Sequence, residues 1–144
     1  MSAMSEVLID QLLNTAKTIA IVGISNKPER DSYKVAQYLQ EHAYKVLAVN
    51  PQQAGNTILG ETCYASLSEA QQQSGLQIDI VDCFRKSEDI PAIVQDAIAI
   101  KAGALWMQLS VVNDVAAAQA QAAGLQVVMD KCTKIEHKRL HSIS

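Results

Sequence analysis

A short loop near the start of the chain carries side chains that can hold a charged ligand. It contains Gly23, Ser25, Lys27 and Arg30, and it leads into a segment that begins at Ser32. Glycine lets the backbone approach a ligand, serine hydroxyls form hydrogen bonds, and the N–H groups at a helix N-terminus attract anions. Lysine and arginine side chains bind phosphate oxygens. The loop therefore predicts a phosphate-binding site.

Familiar nucleotide motifs are missing around this loop. After Gly23 no glycine occurs until Gly55, so G-x-G-x-x-G and G-x-x-x-x-G-K-[ST] are both absent. A nicotinamide site also expects an acidic residue at the end of the second strand, where this chain has Asn50 and Pro51. Both observations argue against NAD as the ligand.

Five short apolar runs predict the strands that position the loop. They are nearly continuous in Ile, Val, Leu and Ala, which is typical of parallel strands covered on both faces. Two of the three arginines, Arg30 and Arg85, follow the first and third runs, and this placement favours a polyphosphate ligand. Any one of these cations taken alone is better explained as a solvated surface charge. The predicted strands are Thr18–Val22, Lys45–Val49, Ile78–Asp82, Ala104–Gln108 and Leu125–Met129.

Amphipathic segments predict the helices that cover these strands. The first covers about residues 5–16, and the others lie between strands. Right-handed crossovers then predict an α/β fold, a Rossmann-type three-layer doubly wound parallel sheet of about five strands in the order 3-2-1-4-5, with helices on both faces. The residues expected to start or end helices are Ser32, Ser66, Ser87, Asn113 and Gly124.

The composition is that of a globular chain and excludes several classes of partner. The chain has 144 residues, of which 49% are hydrophobic, and this length and composition predict one domain. Within it we expect an N-terminal helix in residues 1–17 and the core and C-terminal tail in residues 18–140. A net charge of -3 argues against nucleic acid. No apolar run approaches the roughly 20 residues of a membrane span, and no signal peptide is recognisable. Three cysteines without close pairs are typical of reduced thiols, so a cytoplasmic location is expected.

Ordered motifs over about residues 18–140 carry a resemblance to a known family. The motifs are VGISNKPERDSYKVAQYL, VNP, GETCYASL, DIVDCFR, WMQLSVVN and AAGLQVVMDKCTKIEH. The chain resembles the stand-alone bacterial CoA-binding-domain proteins, which are related to the N-terminal CoA-binding domain of the succinyl-CoA synthetase alpha subunit. The resemblance implies that coenzyme A or an acyl-CoA is bound by the loops at the carboxyl ends of the strands.

The resemblance also implies a part of the ligand for each site residue. Gly23, Ile24, Ser25, Lys27, Arg30 and Ser32 would surround the phosphates; Asn50 and Pro51 would shape the site from the second strand; Phe84 and Arg85 would line the adenine or diphosphate side; Met107 and Gln108 would border the pantetheine path, with Cys132 near its end.

The chain departs from the family pattern at two positions. Ala43 and Ser110 stand where the family usually has glycine. The first change is expected to matter little. The side chain of Ser110 would lie beside the pantetheine channel and would hinder close backbone contact there.

No catalytic constellation is recognisable from residue spacing. Asp79, Asp82 and Asp130 follow or adjoin strands, where acids more often cap loops, and no partner for them is identifiable. By the same resemblance, the phosphohistidine and nucleotide-grasp domains of the synthetases are not expected here. These observations favour a binding or regulatory module without chemistry of its own. Two alternatives stay open: an enzyme acting on a thioester or nucleotide with Cys132 as nucleophile, or a module for another nucleotide.

Several other residues have plainer explanations than function. Cys132 is better explained as a small packing residue than as a reactive thiol, and Trp106 as part of the core. His137 and His141 are four residues apart, but no further ligand completes a metal site, so no metal is expected. The acyl group and any protein partner are left open.

Overall fold

A seven-stranded sheet lies between two layers of helices in the computed structural model, which describes residues 2–142. The strands are β1 (Thr18–Val22), β2 (Lys45–Val49), β3 (Thr57–Ile58), β4 (Glu61–Tyr64), β5 (Ile80–Cys83), β6 (Ala104–Met107) and β7 (Gln126–Val128). The helices are α1 (Ser2–Thr15), α2 (Asp31–Glu41), α3 (Leu67–Ser74), α4 (Ile90–Ala99), α5 (Asp114–Ala122) and α6 (Thr133–Ser142).

The strands run in the order β3-β4-β2-β1-β5-β6-β7, and every pair is parallel except the β3–β4 hairpin. The predicted α/β class and doubly wound arrangement are therefore confirmed. The strand order 3-2-1-4-5 is wrong for the five strands as they were assigned, because the strand at Ile80–Cys83 lies beside β1 and not at the edge. The position beside β2, which the predicted order gave to the third strand, is occupied by β4. No strand was predicted at the residues of β4.

Apolar side chains fill both interfaces between the sheet and the helices. One buried cluster joins the sheet to α3, α4 and α5, and the other joins it to α1, α2 and α6. The strands read as continuous apolar runs because both of their faces are covered. Trp106 is fully buried, as predicted, and its Nε1 donates a hydrogen bond to the carbonyl of Lys131 at 2.8 Å.

Local signals identified some helix ends and missed others. Ser66 and Asn113 accept hydrogen bonds from backbone N–H groups in the first turns of α3 and α5, and Gly124 has a φ of 97° after α5, as predicted. Ser32 and Ser87 do not cap the helices that follow them. Their hydroxyls accept instead from the backbone N–H groups of Ser25 and Val112, because the loops fold back onto them.

Two residues with side chains occupy left-handed backbone conformations at the family's glycine positions. Ala43 has a φ of 74° and Ser110 a φ of 68°. Side chains with a Cβ are strained in this region, whereas glycine is not. Both residues therefore carry backbone strain, while the expectation that Ala43 matters little for the site stays a prediction. No helix within residues 2–142 has the length and apolar character to cross a membrane.

Candidate functional site

The carboxyl ends of four central strands lie side by side at one edge of the sheet. Val22 is in register with Val49 on one side and with Cys83 on the other, and Cys83 is in register with Met107. The loops that follow these strands therefore meet at this edge, where open α/β sheets bind ligands. Most of the predicted site residues lie on these loops.

Gly23 is required by packing within the protein. Its N–H donates to the carbonyl of Val49 at 2.8 Å, and its φ is +88°. A Cβ at this position would lie 2.4 Å from the carbonyl oxygen of Phe84 and 2.7 Å from Cδ of Arg85. Glycine is therefore needed here because the loop after β1 packs closely against the loop after β5.

The loop after β1 is held by hydrogen bonds between its own residues. The hydroxyl of Ser32, a buried residue, accepts from the N–H of Ser25 at 2.9 Å, and the hydroxyl of Ser25 accepts from the N–H of Lys27 at 3.0 Å. Each serine hydroxyl acts as an acceptor in these bonds, so its own hydrogen is not used by them. Lys27 and Arg30 are exposed on the outside of this loop.

Of the six predicted site residues that are buried, Ile24, Asn50 and Met107 act on the protein itself. Ile24 and Met107 are 1% and 0% exposed, so their side chains belong to the core beneath the site. Asn50 is 7% exposed, and its Nδ2 donates to the carbonyl of Ile24 at 2.9 Å while its Oδ1 accepts from the N–H of Gln52 at 3.0 Å. Asn50 thereby clamps the loop after β2 to the loop after β1.

Three adjoining clefts extend along the carboxyl edge of the sheet. The β2 cleft, of about 370 Å³, is lined in part by Gly23, Pro51 and Arg85. The central cleft, of about 460 Å³, adjoins it at Arg85 and is also lined by Phe84 and Gln108. The cysteine cleft, of about 310 Å³, continues from those two residues to Cys132 at the start of α6.

The clefts bring together six predicted residues, whereas Lys27 and Arg30 lie outside them. The β2 cleft also contains three acids that the sequence did not mark as part of a site, and one of them, Asp89, lies 3.4 Å from Nη2 of Arg85. Carboxylates accept hydrogen bonds from hydroxyl and amino groups and repel phosphates. The three acids are Glu88, Asp89 and Asp96.

A buried polar cluster lies under the cysteine cleft. Asp82 is fully buried, its Oδ1 accepts from Nε2 of Gln108, and its Oδ2 accepts from the hydroxyl of Thr133 at 2.8 Å. Burial raises the pKa of Asp82 to about 7, against the two hydrogen bonds, which lower it. The cluster joins β5, the end of β6 and the start of α6. The prediction that Asp82 caps a loop is wrong, because its partners are side chains distant in sequence.

The other two acids do cap loops. Oδ2 of Asp79 accepts from the N–H groups of Lys17 and Thr18 at 2.8 and 3.0 Å. Oδ1 of Asp130 accepts from the N–H of Ser110 at 2.7 Å, which ties the loop after β7 to the loop after β6. This bond holds the exposed, left-handed Ser110 beside the site.

Cys132 lies in a setting that disfavours its thiolate. It is 9% exposed, and burial raises the pKa of its thiol although the backbone N–H groups of Ile135 and Lys134 lower it. Because the thiolate is the nucleophilic form, this setting favours a packing role. Cys63 and Cys83 are also buried. Over residues 2–142, no group of three or more His, Cys, Asp or Glu side chains is arranged to hold a metal ion.

The doubly wound sheet with clefts at its carboxyl edge defines a Rossmann-type binding domain. Residues 17–138 match the family described as the CoA binding domain. The chain belongs to this family, as its motifs predicted.

Similar proteins cover almost the whole chain. The uncharacterized protein YneT of Bacillus subtilis (strain 168) is 34% identical over 133 residues, which are 92% of this chain and 94% of that protein. The structure of protein ID.343 from Thermus thermophilus is 34% identical with a TM-score of 0.85, covering 94% of this chain and 98% of that one. A hypothetical protein from Pyrococcus horikoshii OT3 is 38% identical with a TM-score of 0.85, covering 94% and 91%.

Proposed function

We propose that this protein binds coenzyme A or an acyl-CoA along the carboxyl edge of its sheet, as a binding or regulatory module without chemistry of its own. The observation that carries the proposal is the row of three adjoining clefts in a member of the CoA-binding-domain family. Coenzyme A is an elongated ligand with a nucleotide at one end and a thiol at the other. A row of connected clefts suits a ligand of that shape.

The charges along the edge favour one orientation of the ligand. The acids of the β2 cleft would accept hydrogen bonds from the adenine amino group and the ribose hydroxyl. The phosphates would lie nearer Lys27, Arg30 and the donor hydroxyls of the loop after β1. Arg85, where the β2 and central clefts meet, would exchange its contact with Asp89 for a phosphate oxygen.

The cysteine cleft suits the thiol end of the ligand. Val35, Phe84 and Ile135 give it an apolar lining, and Gln108 offers a polar edge. An acyl group attached to the thiol would bury apolar surface there. The raised pKa of Cys132 argues against attack on the thioester by this residue.

A panel of ligands tests the proposal. Isothermal titration with coenzyme A, acetyl-CoA, NAD and ATP should give the tightest binding for the two coenzyme A compounds. Arg30→Ala should weaken coenzyme A by about tenfold and dephospho-CoA by less, if Arg30 meets the 3′-phosphate. Lys17→Ala, which removes a cation at the opposite edge of the sheet, is the matched control. Binding of coenzyme A no tighter than that of ATP would refute the proposal.

The absence of chemistry is tested separately. Incubation with acetyl-CoA should release no free thiol above the rate in buffer, as followed by a thiol reagent. A release that Cys132→Ser abolishes would instead favour an enzyme with a cysteine nucleophile.

A further inference from the structure

A groove of about 660 Å³ lies on the surface between α2 and α6, and its charge is opposite to that of the chain. The chain has a net charge of -3, yet the groove is lined by Lys34, Lys134 and Lys138 and by a single carboxylate, that of Glu41. Within residues 2–142, none of these lysines has a carboxylate within 4 Å. Three cations therefore share one groove with one carboxylate, and none of the three forms an ion pair within the described residues.

Two of these lysines converge on one aromatic ring. Nζ of Lys134 and Nζ of Lys138 lie 5.8 and 5.6 Å from the centroid of the Tyr38 ring. Ammonium groups held near one ring repel each other, and an anion with several charges would remove that repulsion. Lysine is a common ligand for phosphate, to which it offers a compact point charge. Three lysines suit an oligophosphate better than a single phosphate or carboxylate.

All three histidines of the chain contribute to this region and fix its geometry. The His42 ring stacks on Tyr38 with centroids 4.0 Å apart, and Nδ1 of His42 donates to the Tyr38 carbonyl at 2.7 Å. The buried ring of His137 forms a 2.7 Å hydrogen bond between its Nδ1 and the Tyr38 hydroxyl. Its centroid lies 5.0 Å from that of His42 and 4.2 Å from that of His141. These contacts lock α2 against α6, so the lysines are presented on a rigid frame.

Burial favours the uncharged form of the inner histidine of this frame. Burial, with His141 and His42 nearby, lowers the pKa of His137, so its ring keeps the contact with Tyr38. The rings of His42 and His141 line the groove beside the lysines.

We infer that the α2–α6 groove is a second binding site, which takes an oligophosphate group. It is separate from the clefts of the carboxyl edge, although Lys34 and Lys134 also reach the cysteine cleft. The inference stands whether or not the edge binds coenzyme A, because Tyr38, His42 and Lys138 line the groove and none of the three clefts.

Sodium tripolyphosphate is the probe for this site. Isothermal titration at physiological salt and neutral pH should detect binding of this probe by the wild type. The double variant Lys134→Gln/Lys138→Gln should weaken that binding by about tenfold. The matched control Lys17→Gln/Lys101→Gln changes the net charge equally at exposed lysines elsewhere and should retain the affinity to within about twofold. Far-UV circular dichroism should show all three proteins folded alike.

Two further arms separate the groove from the edge and identify the source of the phosphates. Saturating coenzyme A should leave the affinity for tripolyphosphate unchanged. The single variant Lys138→Gln, at a side chain that lines the groove and none of the three clefts, should bind coenzyme A as the wild type does. ATP that binds more tightly than tripolyphosphate would assign the site to nucleotides, and equal binding would assign it to free oligophosphates. The inference is overturned if the wild type does not bind tripolyphosphate, if both double variants lose affinity equally, or if coenzyme A displaces the probe.

Discussion

The carboxyl edge of the sheet and the α2–α6 groove differ in what makes each a candidate site. The edge has a row of clefts, buried polar clamps and carboxylates among its few cations, whereas the groove has lysines and histidines on a rigid aromatic frame. The edge is thus defined by shape, and the groove by charge. Positive charge alone would have selected the groove, although the family's motifs lie mostly along the edge.

The largest expected effect that separates the two regions comes from Gly23→Ala. The new Cβ would collide with the carbonyl of Phe84, so we expect the free energy of unfolding to fall by about 4 kcal/mol. Gly55→Ala is the matched control, because Gly55 has the same φ of +88° but nothing within 4 Å of its Cβ position, and it should cost about 1 kcal/mol. Urea unfolding measures both. Equal losses would show that the two loops of the edge do not need their close approach.

In the folded fraction of the Gly23→Ala protein, only ligand binding at the carboxyl edge should be weakened. Affinity for coenzyme A should fall by more than about tenfold, while binding of tripolyphosphate in the groove should persist. Loss of both would indicate that the two regions are not independent.

Asp82→Asn should change how stability depends on pH. The folded pKa of Asp82, about 7, lies above the unfolded value of 3.8, so its contribution is complete below pH 4 and is lost as the pH rises to 7. Between pH 5 and pH 8 the wild type should lose about 2 kcal/mol from this group. An asparagine at this position can accept from Gln108 through its Oδ1 and donate from its Nδ2 to the hydroxyl oxygen of Thr133, and it carries no charge, so the variant should lack that loss. Urea unfolding at the two pH values tests this, and parallel curves would contradict it.

The contribution of His137 to stability depends on pH in the opposite sense. The folded pKa of His137 is lowered, so its contribution is present above the unfolded pKa and is lost as the pH falls through the folded value. Protonation of His137 in acid therefore weakens the packing of α2 on α6. Protonation of Asp82 in acid has the opposite effect, because it removes a buried charge.

Tyr38→Phe should affect the groove and spare the edge. It removes the hydroxyl that bonds to Nδ1 of His137, at a cost of about 1 kcal/mol. Tyr33→Phe on the same helix is the control, because within residues 2–142 the Tyr33 hydroxyl has no hydrogen-bond partner. Thermal unfolding should show a lower Tm for the first variant only, and the affinity of both for coenzyme A should equal that of the wild type. A reduced affinity in Tyr38→Phe would show that the frame also supports the edge.

The smallest expected effects come from restoring glycine at the two left-handed positions. Ser110→Gly and Ala43→Gly should each raise the free energy of unfolding by about 1 kcal/mol, because glycine adopts a positive φ without strain. Ser110 follows β6 at the edge, whereas Ala43 precedes β2 at the opposite end of the sheet. Only Ser110→Gly should therefore alter the affinity for coenzyme A. An equal change in both would assign the effect to stability alone.

Local features of the fold were predictable from the sequence because their causes lie within a few residues. Asn113 caps α5 through the N–H of Ala116, and Gly124 ends the helix in a conformation that glycine adopts freely. The four residues of β4 escaped prediction because they are not an apolar run. That strand exists through its parallel pairing with β2, which is a tertiary interaction.

The candidate site was less predictable because its contacts join residues far apart in sequence. Asp82 meets Gln108 and Thr133, which belong to two later elements, and no spacing rule connects them. His42 directly follows α2, whereas His137 and His141 lie on α6, so the contacts among the three rings also join distant parts of the sequence. The role of Asn50 as a clamp also depends on the pairing of β1 with β2.

The central position of β1 has a consequence for how the chain folds. β1 pairs with β2, the next long strand, but also with β5, so that Ile19 lies beside Ile80. Pairings between distant segments form slowly, because the intervening chain loses entropy before it gains contacts. The clefts at the carboxyl edge are complete only after this late step. A ligand that binds in these clefts stabilises the folded state and not the unfolded state. By mass action, the ligand concentration therefore determines how often the whole sheet opens to proteases and to hydrogen exchange.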